Sequence, residues 1–85
     1  MRVKVDIRQY IVSTWLSGDE RGFDDGTDLQ QSGILDSFST LALVAFLDET
    51  FKIQLDPPDI NAVTFRNVGT IAQLVLDKLG KSAGR

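Results

Sequence analysis

Gly33-Ile34-Leu35-Asp36-Ser37-Phe38-Ser39-Thr40-Leu41-Ala42-Leu43-Val44-Ala45-Phe46-Leu47-Asp48-Glu49-Thr50-Phe51 is the stretch on which the fold turns. Asp36 is a strong helix N-cap residue, and from Ser37 onward neither Gly nor Pro occurs until Pro57 and Pro58. A helix over Ser37 to Phe51 is the direct reading. At about 100° per residue, Leu43, Leu47 and Phe51 share one arc, flanked by Val44 and Phe46, and this arc should face a core. Phe38, Leu41 and Ala45 fall on a second arc at i, i+3, i+7, with Asp48 and Glu49 one turn further on. In so small a domain, a second apolar stripe beside acids is better suited to transient docking than to burial.

Outward from this helix, Ile7, Ile11, Val12, Trp15 and Leu16 recur at helical spacing, which predicts a first helix over Val5 to Ser17 stopped by Gly18, with Trp15 as a core anchor. Gly18 to Asp36 is a long connection rich in Gly and Asp, and Leu29 and Leu35 should pin it to the core. A short helical turn is expected from Pro58 to Ala62. The last helix is expected over Val68 to Leu79, with Asn67 as cap and Gly80 as terminator. Its stripe is Val68, Ile71, Ala72, Val75, Leu76 and Leu79. The expected architecture is all-α, a small four-helix bundle of three main helices and one short one. It forms a single domain over 1–85, with its folded core at about 5–79 and a frayed tail at 80–85.

Composition narrows the function. The 85 residues include 12 acidic and 9 basic side chains, and 42% are apolar, which fits one small folded domain. The acidic balance argues against nucleic acid and anionic membranes as ligands and favours partners with basic patches. The longest apolar run, Leu41 to Leu47, is too short to span a bilayer, and Arg2, Lys4, Asp6 and Arg8 break up any signal-like stretch. A cytoplasmic monomer is expected. Cysteine and histidine are both absent. Disulfides, thiolate metal sites and the histidine-dependent hydrolase triads are therefore out of reach, and neither a metal site nor an enzyme is expected.

The phrase Leu29-Gln30-Gln31-Ser32-Gly33-Ile34-Leu35-Asp36-Ser37-Phe38, then Leu43, Leu47, Phe51 and Ile53, and later Phe65-Arg66-Asn67-Val68-Gly69-Thr70-Ile71, resembles the acyl carrier and peptidyl carrier family. The resemblance covers about residues 5 to 79. It implies that Ser37 accepts a 4'-phosphopantetheine arm from coenzyme A, that Asp36 is recognised by the phosphopantetheinyl transferase, and that Phe38, Leu41, Ala45, Asp48 and Glu49 face partner enzymes. Those partners would be an acyl- or aminoacyl-loading ligase and downstream synthases or transferases. A helix N-terminus should stabilise the phosphodiester. An imported thiol answers the chain's lack of cysteine. Ala42 and Thr50 stand where fatty-acid synthesis carriers often have acids, which together with Pro57-Pro58-Asp59-Ile60 implies a dedicated carrier in a specialised biosynthetic pathway. The bulky Trp15, Phe46, Phe51 and Phe65 argue for a short cargo. The competing reading is an unmodified helical module that docks through the second helix; a small carboxylate enzyme is a distant third.

Overall fold

The computed structural model describes residues 2–83, and side chains for residues 2–80. Among the described residues, three α-helices occupy Val3–Trp15 (α1), Ser37–Phe51 (α2) and Val68–Ala83 (α3), with one 3-10 turn at Pro57–Asp59. Among the described residues there is no strand, so the all-α expectation holds. The short element is smaller than the helix expected over Pro58 to Ala62. Pro57 and Pro58 take its first positions, where a missing N–H costs nothing, and Ile60 ends it in extended backbone.

Both α1 and α2 pack on α3. Ile7, Ile11, Leu29, Leu43, Leu47, Val68, Ile71 and Val75 are wholly buried between them. Phe65 joins this core from the lead into α3. Tyr10 of α1 stacks on Phe46 of α2 with centroids 4.0 Å apart, and Trp15 meets Tyr10 edge-on at 5.5 Å. Trp15 is half-buried, a seam residue rather than a central anchor.

Helix ends depart from expectation for local reasons. α1 begins two residues early because Val3 is buried and recruits the preceding turn. It stops at Trp15, before the expected Ser17. Ser17 and Gly18 both take left-handed backbone, and Gly18 N–H returns to the Val12 carbonyl at 3.0 Å. α3 runs through Gly80 to Ala83, so Gly80 does not terminate it. Gly80 keeps a negative φ, and a helical glycine carries only a propensity cost of about 1 kcal/mol. The expected frayed tail is thus helical as far as residue 83, while residues 84 and 85 lie outside the described residues. Leu76, read as a core position, is 48% exposed, and Leu74 packs against the core in its place.

The long connection is pinned as expected by buried Leu29 and Leu35, and also by Phe23. Leu29 N–H bonds the Arg66 carbonyl at 2.7 Å, and Gly69 N–H bonds the Asp25 carbonyl at 3.2 Å, tying the loop to the start of α3. Arg8 on α1 holds the other end. It donates to Glu20 at 3.0 Å and to the Phe23 carbonyl at 3.3 Å, and pairs with Asp25 at 3.6 Å.

Candidate functional site

The site is built around the start of α2. Asp36 sits in extended backbone, and its carboxylate Oδ1 accepts the N–H groups of Phe38 at 2.9 Å and Ser39 at 2.8 Å. Ser39 answers: its hydroxyl oxygen accepts Asp36 N–H at 2.8 Å, and its proton is shared between the Ile34 carbonyl and the Asp36 carboxylate, both at 3.0 Å. This reciprocal capping box fixes the angle at which the loop enters the helix. The N–H and hydroxyl donors of Ser39, with Phe38 N–H, hold the Asp36 carboxyl below the usual carboxylate value. Sequence reading missed Ser39, because the usual signal for such a box is Glu or Gln three residues after the cap, and this chain has a serine there.

Ser37 is the first residue of α2 and is exposed. Several N–H groups of this helix start already have partners. Asp36 already occupies those of Phe38 and Ser39, and Thr40 N–H bonds the Asp36 carbonyl at 2.9 Å.

Next to Ser37 lies an open groove of about 520 Å³, within the range of small-molecule sites. Leu35, Asp36, Ser37, Thr40 and Leu41 line it together with Gln30 and with Ile60 from beyond the 3-10 turn. The structure thus brings together Ser37, Leu41 of the α2 stripe and a residue far along the chain. Gln30 and Ile60 were not singled out from sequence, because only the loop crossing places them there. Gln30 donates to the carbonyls of Ala62 at 3.3 Å and Phe65 at 3.4 Å, which holds that crossing closed.

The outer arc of α2 is exposed as expected: Phe38 is 82% and Leu41 66% accessible, and Ala45 and Glu49 also face solvent. Asp48 is half-buried and already employed. Its Oδ1 accepts Leu55 N–H at 3.1 Å, and its carbonyl accepts Lys52 and Ile53 N–H as the chain turns out of α2. Lys52 turns this corner in left-handed backbone at φ 56°, a conformation that costs a non-glycine residue about 1–2 kcal/mol. The turn returns Ile53 and Leu55 to the core. Among the described residues, no cluster of acids is arranged to hold a metal ion, and no helix is long and apolar enough to cross a membrane.

No protein-family model matches the chain, and no curated protein matches it. Among solved structures, a chain from one described as a crystal structure of FAD-dependent dehydrogenase superposes with a TM-score of 0.74 at 33% identity. The two chains belong to one family. The match spans 81% of this chain and 97% of the other, so the matched chain is about as short as this one.

Proposed function

We infer that this chain is a carrier of acyl-carrier type, a four-element helical bundle that takes a 4'-phosphopantetheine arm on Ser37 and delivers acyl or aminoacyl cargo to separate enzymes. The observation that carries this reading is an exposed serine at the first position of α2, set by an Asp36 cap between an exposed apolar stripe and an open groove, in a chain without a thiol. The residues present fit the group. Ser37 is accessible to a transferase, the space around it is open, and Asp36 remains ionised beside it. In the modification, Ser37 Oγ forms a new P–O bond, the pyrophosphate of coenzyme A breaks, adenosine bisphosphate leaves, and the hydroxyl proton passes to the transferase. When attached, the arm supplies a thiol that carries cargo as a thioester. The chain's own residues position and present: the cap sets where the Ser37 hydroxyl starts, and Phe38, Leu41 and Ala45 offer an apolar grip on the same helix.

The chain itself is not the catalyst in this reading. Its partners are a phosphopantetheinyl transferase, a loading ligase and downstream synthases or transferases, in the cytoplasm and in a specialised pathway. The related chain adds one more. A chain as short as this falls well below the two-halved fold that binds dinucleotides. The flavin chemistry named for that structure therefore suits a larger protein that a short carrier supplies. We include a flavin dehydrogenase, acting on the carried cargo, among the partners.

Incubation with coenzyme A and a phosphopantetheinyl transferase, then intact mass and peptide mapping, tests the assignment. One phosphopantetheine should add, on the peptide holding Ser37, and Ser37→Ala should fold normally and gain nothing. Absence of the adduct from the parent chain favours the second reading, an unmodified module that docks through Phe38 and Leu41. That reading has the same exposed stripe in its support.

A further inference from the structure

The far wall of the Ser37 groove is held from behind. Ile60 comes directly after the 3-10 turn and lines the groove that Leu35, Thr40 and Leu41 also line. Polar ties join the segment around Ile60 to α3, to the first loop and to itself, and just before it Leu55 N–H bonds Asp48 Oδ1 of α2 at 3.1 Å. Lys78 Nζ on α3 meets Asp59 Oδ2 at 2.7 Å and Asp56 Oδ2 at 3.6 Å. Asp59 Oδ2 also accepts Asp56 N–H at 2.8 Å, and the Thr64 hydroxyl donates to the Asp59 carbonyl at 2.6 Å. On the groove side, the segment presents the apolar Ile60.

These two kinds of contact behave differently. Ion pairs and hydrogen bonds fix distance and direction, whereas apolar contact is non-directional and lets surfaces slide. The Lys78 side chain is only 17% exposed, and Asp59 23%, so water screens this pair less than it would a surface pair. The bond to Asp59 raises the Lys78 pKa, which keeps the ammonium charged. Lys78 therefore anchors to α3 the segment from which Ile60 enters the groove.

The geometry points to Lys78 as a positioning residue for the Ser37 groove. By holding Asp59 on α3 it sets where Ile60 stands, and so the size of substituent on Ser37 that the groove shelters. The inference rests on the carrier reading only for the natural occupant, an acyl group of limited length. The groove itself can be tested without it.

Because the chain has no cysteine, Ser37→Cys introduces a single thiol. That thiol is joined to straight alkyl groups of rising length through alkyl methanethiosulfonates, and each adduct is melted. In the Lys78 background, the gain in melting temperature should rise with each sheltered methylene and then level off. In Lys78→Met the levelling point should move out by about two methylenes or more, and Lys78→Arg should restore it. Ile60→Ala, which widens the wall while leaving the ion pair, should move it the same way and serves if Lys78→Met folds poorly. A uniform drop at all lengths with an unmoved levelling point overturns the proposal, since the pair is then simply structural. So does the absence of any length dependence. Phosphopantetheine transfer to Ser37 is scored separately, so a shifted levelling point without transfer overturns the carrier reading alone.

Discussion

Replacing Leu41 with Asp tests two assignments at once, that the residue is surface rather than core and that this surface docks partners. Leu41 is 66% exposed, so about a third of its side chain is buried. Full burial of a leucine is worth about 1.5–3 kcal/mol, so the loss here is about 0.5–1 kcal/mol, and aspartate's weaker helix propensity adds up to about 0.7. Proximity to the α2 N-terminus returns part of that, since a negative charge there meets the positive end of the helix dipole. The net cost is about 1 kcal/mol, a fall in melting temperature of about 4–8 °C for a domain this size. Wholly buried Leu43 provides the contrast: Leu43→Ala should cost about 2–5 kcal/mol. If Leu41 is a central docking contact, an unpaired charge there should slow Ser37 modification or cargo loading by about 30-fold, which corresponds to a hot spot of about 2 kcal/mol. Phe38→Asp should behave likewise; Phe38 is absent from the groove lining, so a shared effect points to docking rather than to the groove. The assays are a thermal melt and a transfer rate measured on the same sample. Global unfolding of Leu41→Asp would refute the face assignment, and unchanged stability together with unchanged rates would refute docking.

The other expectations concern the frame around the site. Gly80→Ala should stabilise by about 0.5–1 kcal/mol in a urea melt, because Gly80 lies inside α3 with open space where a Cβ would go. A loss there would mean that the helix ends at Gly80 after all. Asp36→Asn keeps a capping oxygen but removes the charge, so it should retain most of the stability while slowing transferase modification. Because the folded Asp36 pKa lies below the ordinary value of 3.8, its contribution is complete above that value and is lost as pH falls through the lower folded one. Asp36→Asn should lack this acid-limb component in a pH series of melts. Arg8→Met should cost about 1 kcal/mol, because it removes the ties to Glu20 and the Phe23 carbonyl and leaves the buried Asp25 Oδ1 with no cation beside it. Amide exchange in residues 19–25 should then rise more than exchange in α2, and equal protection throughout would count against the clamp.

Much of the frame was legible before folding, because it depends on neighbours in the chain. The bounds of α2 are set by Asp36 at one end and by the left-handed turn at Lys52, with the prolines beyond, at the other. The two arcs of α2 come from helical period alone, and Leu43 and Leu47 are buried while Phe38 and Leu41 are exposed, as that period requires. Asn67 caps α3 as expected, its side chain accepting Thr70 N–H at 2.8 Å. The end of α3 was misread because glycine is a frequent terminator but not an obligate one. With no left-handed turn imposed at Gly80, the helix simply continues.

Helix periods, caps, the absence of thiol and imidazole, and a serine at a helix start are local properties, and residues close in the chain suffice to specify them. Which distant residues meet is a different matter, decided only when the chain closes on itself. Gln30 and Ile60 reach Ser37 because the first loop and the segment after the 3-10 turn cross, held by the Gln30 amide. Arg8 reaches across the chain to hold Phe23 and Asp25, and Lys78 ties Asp59 to α3. Such pairings depend on the balance between loop-closure entropy and the burial of a shared core, a sum over the whole chain that no single stretch of residues encodes. The groove beside Ser37 belongs to this second class, and so does Lys78's hold on its wall.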